Sequence, residues 1–589
     1  MKMRDIGFFA VGIVLLAQPA LSKFTLTIMH TNDVHARFEQ TDKYGGSCSA
    51  SKDAAGECFG GVARRKTKVN ELRVKYPNSL LLDGGDQFQG TLWFTIFRGK
   101  AVSYFTNAIG YDAMALGNHE FDLGVDALVP FLQNVSFSVL SSNINTSREP
   151  SITGKFQKST TKVVAGQKIG IIGYTTTDTV EISKSGNLIF EDEAASIQKE
   201  VDKLKSEGVD KIIALGHAGY DVDLKIAKTV KGLDVIVGGH SNTFLYTGTS
   251  PSNDKPVGDY PTVVNQEDGA KVLVVQDYAF GKYLGFLQVV FDDSGIVESW
   301  SGNPILLDND TAQDATILEE LKNWTPALTA ARTKVIGRTH VFLDGIREHC
   351  RLRECNLGNF IADGMVHQNL DHPDGVYWTR ASIGLMNSGG IRTAISKGSV
   401  TLEDVLTVSP FRNTIDVFEL KGKHIREVLE HSVSKWDAVK QAGRFLQVSG
   451  LIVTYDLARP IGARVVSVKA RCGDCEMPSF SPLEDEKVYQ LVAPTFIIEG
   501  GDGYGMIKPN LISRHINGDL DTDVLEEHVR KMSPIAIGLE ERIQFVNGST
   551  GGGPCVNIAR NTIMNYYLMI SAIIMTVLLR RDTYTLWNQ

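Results

Sequence analysis

At 589 residues the chain is longer than the ~250–300 residues one hydrophobic core ordinarily serves, so two large domains are expected. Hydrophobic residues make up 43% and charged residues 22%, a balance that excludes a mainly disordered chain. The formal net charge is -8 with no long basic run, which argues against nucleic acid as a partner; a small anion stays open, since a local metal or arginine site can oppose the overall sign.

In chain order, MKMRDIGFFAVGIVLLAQPALS (1–22) has a basic start, an apolar stretch and small residues at Ala20 and Ser22. It reads as a secretory signal cleaved near Ser22; the apolar stretch is short for the alternative, an N-terminal membrane anchor. The next half alternates short apolar runs with helix-compatible segments. FTLTIMH (24–30), SLLLD (79–83), KIGIIGYT (168–175), KIIALGH (211–217) and DVIVGGH (234–240) predict buried strands, while 61–76 and 194–208 have helical spacing. An α/β layered domain over 23–312 follows. A stretch rich in Ala, Leu, Glu, Lys and Thr over 313–335 predicts a connecting helix that Pro326 interrupts or kinks, and a second α/β domain spans 336–546.

Beyond it, NGSTGGGP (547–554) and the apolar IMNYYLMISAIIMTVLL (563–579) have the order of a glycolipid-anchor signal over 547–589, one that is removed on processing. RRDTYTLWNQ after Leu579 departs from that pattern, and a single-pass helix with Arg580 and Arg581 inside competes. The seven cysteines suit an oxidising compartment: Cys48 and Cys58, Cys350 and Cys355, and Cys472 and Cys475 are close enough to pair, leaving Cys555 alone. A zinc site built on CGDC is the alternative. Sequons stand at Asn134, Asn145, Asn309, Asn323 and Asn547.

The chemistry gathers where predicted strands end, the edge at which open α/β sheets place ligands. NDVH (32–35) offers Asp33 and His35, DGGDQ (83–87) offers Asp83 and Asp86 beside glycines, and GNHEFD (117–122) offers Asn118, His119 and Asp122. GHAGYD (216–221) and GGHSN (238–242) each place a histidine, His217 and His240, after an apolar run. Any one of these has a plain explanation as a turn or a strand cap. Together they supply the imidazole, carboxylate and amide donors of a two-metal phosphoester hydrolase. His30, inside the first strand, reads as core or as a support behind the ligands; the histidines of the second half read as surface or structural. Arg37 suits either a phosphate contact or a solvated loop end.

The ordered set NDVHAR, GDQFQGT, GNHEFD, GHAGYD and GGHSNTF resembles the calcineurin-like metallophosphoesterase domain as found in the 5'-nucleotidase family. RECNLGN (353–359), NSGGIR (387–392), PFRNT (410–414) and FIIEGGDGY (496–504) resemble that family's nucleotide-binding second domain, so the likeness covers almost the whole mature chain and, with both end segments, extends to the animal ecto-members. The resemblance implies a two-domain α/β fold, an N-terminal metallophosphoesterase sandwich and a C-terminal nucleotide-binding domain. It implies that Asp33 and His35, with Asn242 as a further candidate, bind one metal, that Asn118, His217 and His240 bind the other, and that Asp86 rather than Asp83 bridges them. Two divalent ions, zinc foremost, are the implied cofactors, with manganese or cobalt also compatible.

His119 and Asp122 are implied as a dyad acting on the phosphoryl group or leaving oxygen. Arg351 and Arg392 are implied contacts to phosphate or ribose, Asn387 a polar contact, Phe411 and Phe496 the faces between which a purine stacks, and Asp502 the acceptor for ribose hydroxyls. The implied reaction is hydrolysis of nucleoside 5'-monophosphates, chiefly AMP, by metal-activated hydroxide at the extracellular face of the plasma membrane, with domain rotation about 313–335 and a homodimer through the second domain. An apyrase of the same family and a catalytically silent surface protein are the rivals.

Overall fold

A computed structural model describes residues 23–370, 378–516 and 518–546; the candidate secretory segment 1–22, His372, and the tail from Asn547 with its sequon, Cys555 and candidate anchor lie outside the described residues. Two sheets face each other in the N-terminal half. One has the order 297–302, 283–291, 24–31, 79–83, 113–115, 138–140; the other runs 262–265, 271–275, 235–237, 211–217, 167–175, 159–164. The strand Phe24–Thr31 shows why the runs are so continuously apolar. Leu26 and Ile28 point into the space between the sheets, against Ile171, Ile213 and Val235, while Met29 points outward into a core shared with the helices Val62–Lys75 and Gly99–Ile109. The second sheet is likewise buried on both faces: Ile172, Ala214 and Ile236 pack under Glu193–Ser206 and Tyr220–Thr229. With helices outside two sheets, only the strand ends remain for polar work.

The central strands of each sheet are parallel. Their carboxyl ends therefore lie at one edge. Segments 315–324 and 326–333 form two helices, Pro326 standing at the first position of the second, where its missing N–H costs nothing. The C-terminal half is built on a five-stranded sheet ordered 446–449, 383–387, 488–494, 415–421, 514–515 and a four-stranded one ordered 480–482, 465–471, 451–455, 543–545. The helix Asn356–Gln368 packs on the larger sheet, and Asp521–Met532 packs beside it. Cys48–Cys58, Cys350–Cys355 and Cys472–Cys475 are disulfides, so CGDC is a bridge and not half of a zinc site. Among the described residues no helix is long and apolar enough to cross a membrane.

Candidate active site

Asp33 and His35 follow the first strand, and Asp86 follows the second. The two loops are stitched together by Asp33 N–H donating to Gly85 O and His35 N–H to Asp86 O, each at 3.0 Å. Asp33, His35, Asp86, His240 and Asn242 all have positive φ, between 50° and 74°. Left-handed backbone is strained for such side chains, and its concentration at five candidate ligands marks a constellation that the surrounding fold over-determines. Neighbouring glycines are there for space: a Cβ at Gly117 would lie 2.2 Å from Asp86 Oδ1, and one at Gly239 would lie 2.9 Å from His217 Nδ1.

The donor atoms converge. His217 Nε2 stands 3.0 Å from Asp86 Oδ2, His35 Nε2 stands 3.8 Å from the same oxygen and 3.9 Å from Asp33 Oδ1, and His240 Nδ1 meets Asn118 Oδ1 at 2.8 Å. Two triads, His35–Asp86–His119 and Asp86–His217–His240, have ligand atoms mutually close enough to hold a cation, with Asp86 common to both. The imidazoles are aimed from behind: His35 Nδ1 donates to Phe88 O at 3.0 Å and His217 Nδ1 to Gly84 O at 2.7 Å, which leaves each Nε2 as a lone pair. His217 Nε2 is buried without a hydrogen-bond partner. An orphaned imidazole lone pair among carboxylates is the environment a divalent cation satisfies, so the residues fit the metals the fold implies. Burial opposes charge on His217, but Asp86 and Asp33 overcome it and push its pKa up to about 10, so in that negative field a proton competes with a cation for the Nε2 lone pair.

Asp83 and Asp86 separate clearly. Asp83 accepts from Thr31 Oγ1, Gln87 Nε2 and Gly85 N–H and props the loop; burial raises its pKa to about 7 despite those bonds. Among the described residues Asp86 Oδ1 accepts only from His119 N–H, at 2.9 Å, leaving Oδ2 to the centre. His119 Nδ1 lies 2.6 Å from Asp122 Oδ2, and Ser183 Oγ donates to the other oxygen of Asp122 at 2.7 Å. His119 Nε2 therefore faces Asp86, 3.9 Å away. Burial works against the imidazolium of His119, and the carboxylates of Asp122 and Asp86 more than offset it, raising the pKa.

The second domain closes over this edge. Arg392 Nη2 donates to His35 Nε2 at 3.0 Å, and the ring of Phe411 stacks on that of His119 with centroids 5.7 Å apart. Asn387 Nδ2 donates to Asp502 Oδ2 at 2.7 Å, and burial raises the Asp502 pKa. Phe496 lies against the loop carrying Asp502: a Cβ at Gly501 would fall 2.5 Å from its ring. Arg351 is half-buried and donates through Nη1 to Gln441 O at 3.1 Å. Arg37 is not at a solvated loop end; it is 2% exposed, donates to Gly45 O and His35 O, and lies 4.1 Å over the Phe280 ring.

Sequence reading missed the groups that hold the ligand loops. Glu120, 1% exposed, accepts from the backbone N–H groups of Asp86, Gln87, Phe88 and Gly117 at 2.7–3.1 Å. Burial, helped by the Asp86 charge, raises its pKa to about 8. Asp223 accepts from Tyr174 Oη and Gln276 Nε2, while Gln276 also bonds Gly239 O, Ser241 and Thr243, fixing the His240 loop. The only signal for Glu120 was its place between His119 and Phe121; Asp223 and Gln276 left none.

A model of the calcineurin-like phosphoesterase family matches residues 26–244, and one of the 5'-nucleotidase C-terminal domain matches residues 335–509. A 5'-nucleotidase of Rattus norvegicus is 48% identical over 543 residues, covering 91% of this chain and 93% of that protein. A snake venom 5'-nucleotidase of Naja atra is 46% identical over 534 residues, covering 89% and 99%. The crystal structure of a 5'-nucleotidase precursor from Thermus thermophilus superposes with a TM-score of 0.82 at 42% identity, covering 89% of this chain and all of that one.

Proposed function

The chain belongs to the 5'-nucleotidase family of metal-dependent phosphoric monoester hydrolases, and on that premise we propose that it cleaves nucleoside 5'-monophosphates, AMP foremost, to nucleoside and inorganic phosphate. One observation supports this most directly: the nucleotide-facing side chains Arg392 and Phe411 of one domain lie against the ligand His35 and the dyad His119 of the other. A substrate must span both.

In this reading Asp33 and His35, with Asn242, hold one ion, Asn118, His217 and His240 hold the other, and Asp86 bridges. Zinc suits the imidazole and carboxylate mixture. Such ions supply Lewis-acid charge to the phosphoryl oxygens and an activated water at neutral pH. Asp122 fixes Nδ1 of His119, so Nε2 meets charge developing on the phosphoryl group or the leaving oxygen. Arg351 and Arg392 offer forked donors to phosphate and ribose. Phe411 and Phe496 receive the base, and Asp502, oriented by Asn387, accepts from ribose hydroxyls. The three disulfides, exposed sequons at Asn134, Asn309 and Asn323, and the composition of the end segments support an extracellular, glycosylated protein held by a lipid anchor, with pairing of two copies through the second domain.

Phosphate release from AMP, ADP and ATP tests the reading. AMP is expected to be the preferred substrate, with activity abolished by a chelator and restored by zinc; a clear preference for ADP would instead establish an apyrase. Release from cells by a phosphatidylinositol-specific phospholipase is the expected sign of the anchor.

A further inference from the structure

His431 belongs to none of the motifs of the second domain, yet its half-buried ring lies against the turn that carries Asp502. It stands in the last turn of the helix Gly422–Ser432, whose Ile425, Val428 and Leu429 are buried in the C-terminal core and fix the direction in which the ring points. His431 Nε2 donates to Asp502 O at 2.9 Å, and the ring meets that of Tyr504 edge-on with centroids 4.7 Å apart. A carbonyl only accepts, so the hydrogen of the neutral ring sits on Nε2. Arg444 Nη1, 3.2 Å from the same nitrogen, finds no lone pair there. Burial, aided by the charges of Arg444 and Lys435 and opposed by Glu181 and the bond to Asp502 O, lowers the His431 pKa and keeps the ring neutral.

The turn needs such a hold. Asp502 has φ 55° within Gly501–Gly503, and left-handed backbone at an aspartate persists only where its surroundings impose it. A Cβ at Gly503 would lie 3.1 Å from His431 Nε2 and 3.2 Å from Glu181 Oε2, which belongs to the first-domain helix Thr179–Ile182. The turn is therefore fitted between Phe496, His431 and Glu181, with Asn387 on the Asp502 carboxylate and His431 on its backbone.

We propose that His431 is a positioning residue for ribose recognition: by holding Asp502 O it aims the Asp502 carboxylate at the sugar hydroxyls, and so sets the preference for a ribose over a sugar that lacks them. This rests on the nucleotidase reading above and on the role given there to Asp502. The hydroxyls are bound alike in substrate and transition state, so a carboxylate that loses its aim costs binding: KM rises while kcat changes little.

The test is steady-state kinetics of the metal-loaded enzyme on AMP and on its 2',3'-dideoxy analogue, which has neither hydroxyl. In H431L the KM for AMP is expected to rise about tenfold, the size of one hydrogen bond to a charged group, while the KM for the analogue stays at the wild-type value. H431Q, whose amide still donates to the carbonyl, recovers most of the loss. An unchanged KM for AMP in H431L overturns the proposal. So does an equal rise for both substrates, which marks distortion of the whole cleft, and so does a loss in H431Q as large as in H431L. Should H431L not fold, H431N decides, its amide being too short to reach Asp502 O: a raised KM for AMP alone supports the role, and any other result rejects it. If the wild type hydrolyses no AMP, or treats the two substrates alike, the nucleotidase reading or the role of Asp502 has failed instead. Amide hydrogen exchange across 500–504 then judges His431 by itself: faster exchange in H431L or H431N than in wild type and H431Q supports its hold on the turn, and equal exchange rejects it.

Discussion

Glu120 shows how much of a metal centre is made by residues that touch no metal. Four backbone N–H groups converge on its carboxylate, and three of them belong to the turn that carries Asp86. Removing the carboxylate leaves those donors buried and unpaired, so the turn relaxes and Asp86 loses its aim. E120A is expected to bind zinc about 10- to 100-fold more weakly, with turnover recovering as zinc is raised. A wild-type zinc titration would show that Asp86 holds its place without this support. The candidate ligands themselves were legible because Asp, His and Asn after apolar strands are chemically conspicuous. Glu120 was not, because its partners are main-chain groups, which leave no residue-type signature.

Strands were read well because burial on both faces leaves long apolar runs; the helices 62–75 and 193–206 matched their predicted spacing to within a residue or two. The helix pair of the second domain was less transparent. His367 and His528, read as surface or structural, face each other between Asn356–Gln368 and Asp521–Met532 with Nδ1 atoms 3.4 Å apart, and His528 also packs on Phe360. Burial, then the charge of His367, lowers the His528 pKa from 6.5 to about 4. The sign follows: the fold favours the neutral ring, so this stability is fully present above the unfolded pKa and is lost as pH falls from 6.5 towards 4, by about 3 kcal/mol at most. Denaturant midpoints measured across that window should fall less steeply in H528F than in wild type. Parallel curves would assign the acid loss to other groups.

At the scale of the whole molecule, the two domains meet through a few ion pairs besides the Arg392–His35 and Phe411–His119 contacts. Arg332, in the helix Pro326–Thr333, donates to Glu39 of the first domain and Glu403 of the second, each at 3.0 Å; Lys435 reaches Asp178 at 3.4 Å, and Lys440 pairs with Asp221. Partly exposed pairs of this kind contribute roughly 0–1 kcal/mol each, so they register the closed arrangement without locking it. If turnover needs reopening, joining D221C to K440C with a short bis-maleimide should reduce activity to below about a tenth, while either single variant reacted alike stays active. Full activity in the linked enzyme would mean that product leaves the closed form. By itself the sequence determined the α/β class and the family and offered a candidate two-metal ligand set, because strand burial and metal ligation each impose residue types at short, readable spacings. Only the tertiary structure decided which aspartate props and which faces the centre, and that Arg37 is buried against Gly45, His35 and Phe280. Those assignments depend on contacts between separate segments, such as Asp83 with Thr31, Asp86 with His119 and Arg37 with Phe280, where direction and distance are set by packing and no local pattern encodes them.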